Sequence, residues 1–240
     1  MPLKIDLHVH TRYSGDSNIS LEDILVEIGR KRLDGAAITD HDNIEGALAI
    51  CKLILEMDPE YQPIIIPGIE VSTKKGHIIA LNVKETIPRG LSVKETIDRI
   101  HEVGGIAIAA HPQTFFKDGI GLSPKILSLG LDAIEVINSS LFPFKPMVKA
   151  CKEFAERYGL PQTAGSDSHI RETIGLSYTL IDVEEKNIDS IIKSIKRGLT
   201  TPIGTGIPFV LRIKSIFRRS SEKNINFQWL ESSATRGHSR

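Results

Sequence analysis

The chain has only two cysteines in 240 residues, Cys51 and Cys151. They lie far apart in segments that read as helices and form no Cys-x-x-Cys spacing. A small disulfide-stapled fold is therefore excluded, and reduced, buried thiols in a cytosolic protein are expected. Long apolar runs are missing too: no stretch approaches the length of a membrane span, and MPLKIDLH passes straight into a strand without a basic n-region and apolar h-region. These absences predict a soluble, cytoplasmic protein with no membrane partner. Net charge is also lacking, with 30 Lys and Arg against 30 Asp and Glu. The balance hides a polarity, because residues 207–240 carry seven Lys or Arg against two Glu, which leaves the tail at +5 and the remainder at −5.

What is present is an alternation of apolar runs with segments of helical period, at a length that suits one large barrel domain or two small ones. LKIDLHV precedes SLEDILVEIGRKRL, whose Leu21, Ile24, Leu25, Ile28 and Leu33 form a stripe behind Ser20 as N-cap. GAAIT precedes NIEGALAICKLILEM; PIIIPGIEV and HIIALNV can pair across the KKG turn; SVKETIDRIHEV follows, opened by another Ser. GIAIAA, DAIEVI, PQTAGS and SYTLID complete the strands, with helices through MVKACKEFAERYG and IDSIIKSIKRG. This order predicts an α/β fold with a parallel sheet, a barrel being favoured over an open sheet. Residues 1–206 are expected to form the barrel. Residues 207–240 are expected to form a short basic amphipathic helix and a flexible tail.

The chemistry gathers at strand ends. His8 and His10 close the first apolar run, with Asp6 placed on the same face by strict alternation. His41 follows GAAIT, Glu70 lies in IIIPGIEV, His77 opens HIIAL, His111 follows GIAIAA, Glu135 and Asn138 lie in DAIEVIN, and Asp167 and His169 follow PQTAGS. Six of the eight histidines fall in this set, mostly at the C-terminal ends of strands, where barrel enzymes keep their active sites. Buried imidazoles need a hydrogen bond or a metal. His8, His10, Asp16, His41, Glu70, His77, His111, Asp167 and His169 make nine ligands, enough for two or three ions that each take three or four. His101 and His238 fall outside the pattern and are expected at the surface.

The succession DLHVHTRYSGD, TDHDNIEG, GIEV, GHIIAL, AAHP, IEVINSS and GSDSH resembles the PHP family, named for its polymerase-associated and histidinol-phosphatase members, from about residue 3 to residue 185. The resemblance implies a distorted seven-stranded, TIM-like β/α barrel around a trinuclear centre. It implies one ion on His8, His10, Glu70 and Asp167, a second on Glu70, His77 and His111, and a third on Asp16, His41 and His169, with Glu70 bridging the first two. Water activated by the metals held on Glu70, Asp167, His8 and His10 would attack phosphorus, and no protein nucleophile is required. Asp16 stands where some members have His, and an oxygen ligand there admits Mn²⁺ or Fe²⁺ beside Zn²⁺.

Asp6, Asp40 and Asp42 are candidates for orienting ligand imidazoles. Arg12, Lys74, Lys75, Lys145 and Arg171 are candidates for phosphate, and Asn138 for substrate or a bound water. Relatives of this kind hydrolyse small phosphomonoesters, nucleotides or the ends of nucleic-acid chains, so a phosphorylated small molecule, nucleotide or nucleic acid is the expected partner. Two other readings compete: a metal-dependent amidohydrolase, which also opens on His-x-His, and a metal-binding module of the same fold without turnover.

Overall fold

The computed structural model describes residues 2–113 and 119–213. It divides into two units, Met1–Gly206 and Ile207–Arg240. In the second unit residues 209–213 are helical, and the rest of the expected basic tail, with His238, lies outside the described residues.

The first unit runs β1 (Leu3–Val9), α1 (Leu21–Lys31), β2 (Gly35–Ile38), α2 (Glu45–Ile54), β3 (Ile64–Ser72), β4 (His77–Leu81), α3 (Val93–Glu102), β5 (Ile106–Ala109), β6 (Ala133–Asn138), α4 (Phe144–Tyr158), β7 (Gln162–Gly165), β8 (Ser177–Ile181), α5 (Ile188–Lys196) and β9 (Thr200–Gly204). Ser20 caps α1 in a reciprocal box with Asp23, and Ser92 does the same for α3 with Glu95. The α1 stripe buries Leu21, Ile24 and Ile28, and the helix stops where Arg32 turns left-handed. β2 and β5 are buried at every residue, as strands covered on both faces must be.

All nine strands form one sheet, in the order β7-β6-β5-β4-β3-β2-β1-β8-β9. Two expectations are corrected here. The sheet has nine strands, because β8 and β9 add an antiparallel hairpin beside the N-terminal half of β1. It is mixed, because β4 runs antiparallel to both β3 and β5, through the tight turn at Gly76 with φ of 73°. The wall nearly closes: the segment after β7 reaches the C-terminal half of β1 through Asp167 N–H to His8 O at 2.8 Å and His10 N–H to Ser168 O at 3.1 Å. No helix among the described residues is long and apolar enough to cross a membrane.

Two bulges flank β7. On β1 the pairing advances from Asp6 to Val9 while β2 advances only from Ala36 to Ile38, so β1 carries one extra residue. On β6 it advances from Glu135 to Ile137 while β7 moves from Thr163 to Ala164. An inserted residue shifts the alternation of every side chain beyond it. Asp6 therefore shares a face with Val9, and Glu135 shares a face with Asn138.

Candidate metal centre

The structure brings all nine expected residues together at one end of the barrel, where the parallel strands finish and the antiparallel β4 begins at His77. Glu70 is at their centre, fully buried. Its Oε2 lies 3.1 Å from His8 Nε2, 3.2 Å from His10 Nε2 and 3.2 Å from His41 Nδ1. Its Oε1 lies 3.0 Å from His77 Nδ1 and 2.8 Å from His111 Nε2. Asp167 Oδ1 is 3.3 Å from His10 Nε2 and 3.6 Å from His169 Nδ1. Asp16 Oδ2 is 2.9 Å from His169 Nε2 and 3.6 Å from His41 Nε2.

Three groups have donor atoms mutually within 4.8 Å: His8, His10, Glu70 and Asp167; His10, Asp16, His41 and His169; and His41, Glu70 and His77. His10 and His41 thus stand at junctions between groups that the resemblance kept separate, and His111 reaches the cluster through Glu70.

Local backbone explains the convergence. The turn Arg12–Ser14 is capped by Thr11 and closed by left-handed Gly15, which returns Asp16 towards the end of β1. Ser14 Oγ lies 3.2 Å from His10 Nδ1 and accepts His41 N–H at 3.1 Å. An isolated bridge pairs His41 with Glu70. His111 and Asp167 have φ of 26° and 52°, values that few non-glycine residues adopt. Gly165 leaves room for β1: a Cβ there would stand 2.3 Å from His8 Cβ.

The electrostatics demand positive charge. Burial opposes ionisation of Glu70, but the surrounding His8, His10, His111 and His77 imidazoles hold its carboxyl well below the usual range. Asp167 is held down likewise, against its burial, chiefly by His8, His10 and His169. Burial works against the charge on His10, yet the Asp167 and Glu70 carboxylates push it up to about 9. Burial pulls His41 down. A divalent cation meets the same demand, and a donor set of imidazole nitrogens and carboxylate oxygens suits zinc, manganese or iron.

Several sequence candidates fall elsewhere. Asp6 accepts backbone N–H groups from His8 at 3.3 Å, Ser166 at 2.8 Å and Gly175 at 2.8 Å, and burial pushes its carboxyl up to about 6. The β1 bulge turns it away from the imidazoles. Asp40 accepts from Thr11 N–H and Oγ, and Asp42 from Ser72 N–H, so neither orients His41. The Arg171 guanidinium is committed to Asp23 at 3.0 Å and Glu27 at 3.1 Å on α1. Asn138 is buried behind the carboxylates, donating to Glu135 Oε2 at 2.9 Å and Asp167 Oδ2 at 3.2 Å, with its oxygen accepting from Ser140. Arg12, Lys74, Lys75, Lys145 and Arg171 are all exposed, whereas Asn138 is buried.

The orienting carboxylate is Glu135. It is buried, with Oε1 3.0 Å from His8 Nδ1 and Oε2 accepting His111 N–H at 2.8 Å. Its position in DAIEVIN drew notice, but only the β6 bulge sets it beside Asn138. Ser140 Oγ, 2.6 Å from Asp167 Oδ2, had no signal beyond its nearness to that motif.

Fold and donor cluster define a class: a distorted β/α barrel whose mouth suits divalent cations. A family model described as PHP-associated matches residues 149–200. The uncharacterized protein MJ1587 of Methanocaldococcus jannaschii is 40% identical over 147 residues, which cover 57% of this chain and 82% of that protein. A solved two-domain protein from Bacteroides vulgatus, described as containing a "predicted PHP-like metal-dependent phosphoesterase", aligns with a TM-score of 0.71 at 16% identity over 85% of this chain, which spans 65% of that one. The lesion-specific endonuclease PfuEndoQ from Pyrococcus furiosus aligns at 0.57 and 19% identity, over 82% of this chain and 56% of its own. The chain belongs to the PHP family.

Proposed function

We propose that the chain hydrolyses a phosphomonoester or phosphodiester with two or three divalent ions, Zn²⁺, Mn²⁺ or Fe²⁺, held by the nine clustered residues. The observation that carries this reading is Glu70, a buried carboxylate whose two oxygens face five imidazoles from four strand ends. Such ions, when bound, lower the pKa of water and offset charge on phosphate oxygens.

The chain's own residues supply the framework. Glu70 ties the donor groups together; Glu135 accepts from His8 Nδ1 and leaves the Nε2 lone pair directed inwards. Asn138 and Ser140 occupy Asp167 Oδ2, so that Oδ1 stays turned to His10. Arg12, exposed on the turn after β1, would meet a phosphate oxygen.

The test compares p-nitrophenyl phosphate, bis-p-nitrophenyl phosphate and a panel of amides on one metal-loaded sample. Phosphoester hydrolysis abolished by chelator and restored by metal supports the reading. Amide hydrolysis alone would reassign the chain to amidohydrolase chemistry, and no turnover at all would leave a binding module.

A further inference from the structure

We propose that two copies of this chain pair by exchanging their C-terminal segments, the apolar stripe that begins at Phe209 in each covering an acidic, apolar patch beside α2 in the other. This contact lies outside the donor cluster and is independent of the phosphoesterase reading.

Among the described residues five large apolar side chains are at least 70% exposed, and four of them fall in two places. Leu55 and Tyr61 lie at the end of α2 and in the loop after it; Phe209 and Val210 open the helical stretch 209–213. Leu48, two turns before Leu55, extends the first group, and Ile213, one turn after Phe209, extends the second. The loop of the first group is held by its own hydrogen bonds: Met57 N–H donates to Ile54 O at 3.1 Å, Tyr61 N–H to Asp58 O at 2.9 Å, and Gln62 Nε2 to Met57 O at 2.9 Å. Single exposed apolar residues carry no meaning, but apolar residues gathered on a fixed frame mark a contact surface.

Charge distinguishes the two groups. Residues 45–61 carry Glu45, Glu56, Asp58 and Glu60 against Lys52, a net of −3, and Glu56, Asp58 and Glu60 form no salt bridge among the described residues. The second group lies in the segment 207–240, whose net charge is +5. After Ile213 the sequence reads KSIFRR, where Ile216 and Phe217 keep the helical spacing of the stripe and Lys214, Arg218 and Arg219 carry the charge. The two surfaces are both apolar and opposite in sign, the complementarity that steers and registers an interface.

Covalent reach selects a second copy as the occupant. β9 ends at Gly204, paired with Ser177, and a Cβ on Gly206 would stand 3.0 Å from Phe144 Cβ at the start of α4, on the side of the barrel mouth. The patch precedes Ile64, which pairs with Gly35 and through it with Ile5, towards the other end of the strands. β3 and β9 are four strands apart in the sheet, roughly 20 Å, whereas the three residues from Gly206 to Phe209 span about 10 Å at most. A chain is thus too short at this point to bring Phe209 to its own Leu55. A two-fold pair closes the contact, because each copy gives one stripe and one patch. The rings of Tyr61 and Phe209, counted in both copies, bury roughly 500 Å², and Leu48, Leu55, Val210 and Ile213 extend the contact towards the ~1,200 Å² at which stable interfaces begin.

The experiment follows the mass of the full chain by sedimentation equilibrium over a micromolar concentration series. Wild type should be dimeric, and less tightly so as salt rises. L55D/Y61D and F209D/V210D should each raise the dimer dissociation constant roughly tenfold or more, with circular dichroism spectra like that of wild type. Mixing the two variants should restore dimers, because the intact stripe of one meets the intact patch of the other. A wild-type chain that stays monomeric, a dimer that survives both variants, or a mixture no tighter than its components overturns the inference. So does a monomer that sediments with phosphatidylserine vesicles and loses them in F209D/V210D, which gives the stripe to a lipid surface instead.

Discussion

Replacing Glu135 by glutamine keeps the side-chain length and removes one acceptor from a carboxylate that has three donors around it. Its Oε1 serves His8 Nδ1 at 3.0 Å, and its Oε2 serves His111 N–H at 2.8 Å and Asn138 Nδ2 at 2.9 Å. If the new amide oxygen stays on His8, its NH₂ faces two buried donors, and each stranded group costs about 1–3 kcal/mol. Asn138 cannot turn to help, because its own oxygen accepts from Ser140 N–H at 2.8 Å. The opposite orientation is cheaper: the amide oxygen takes the two donors and the NH₂ donates to His8 Nδ1. That moves the imidazole proton to Nε2, the nitrogen 3.1 Å from Glu70 Oε2, and removes the lone pair a cation needs. The expected result is a 10- to 100-fold loss of cation affinity, about 1.4–2.7 kcal/mol. Zinc titration against a competing chelator reads the loss, and ¹⁵N shifts of the His8 ring read the tautomer. Affinity within threefold of wild type, with the tautomer unchanged, would refute the reasoning.

Glu70→Gln, by removing the charge that five imidazoles surround, should release metal and lower p-nitrophenyl phosphate turnover by at least ~100-fold; near-normal turnover with full metal content moves Glu70 out of the centre. Asp16→Ala should cost less, because Asp16 is partly exposed at the outer edge of the cluster beside His169 and His41, whereas Glu70 is buried at its centre, and an equal loss in the two variants would contradict that ranking. Gly165→Ala forces a Cβ to within 2.3 Å of His8 Cβ and 2.9 Å of Glu135 Oε1, so the urea midpoint should drop by the equivalent of about 1–3 kcal/mol or more, and an unshifted midpoint contradicts the close approach of β7 to β1. Burial pushes the Cys151 thiol up to about 12 from 9.0, so in that window the unfolded chain ionises while the folded one does not. Stability should therefore fall as pH rises from about 9 to 12, and Cys151→Ser should flatten the fall; identical pH profiles would count against the burial.

The clustered histidines were legible because each follows or opens an apolar run, and a residue type at a strand end survives small errors of register. Helix starts were as plain, since Ser20 and Ser92 each announce a capping box. What alternation misread lies beyond the bulges: Asp6 was put beside His8 and is not, and Glu135 and Asn138 were not put together and are. A bulge leaves no mark in a single sequence, because Leu7 and Val136 are ordinary strand residues. The β9 strand escaped notice because TTPIG is short and carries Pro202, which suits only an edge. Arg171 misled by position: it follows His169 by two residues, but Asp23 and Glu27 on α1 claim its guanidinium.

The bulge in β1 divides one strand between two kinds of selection. Before it, Ile5 and Leu7 pack with Ile66, Ile79 and Ile108 in the hydrophobic interior; after it, His8 and His10 belong to the donor cluster. Mutational tolerance should change character between two adjacent positions. In a scan scored separately for cellular abundance and for turnover, substitutions through Leu7 would deplete the protein, whereas substitutions from His8 onward would leave it abundant and idle.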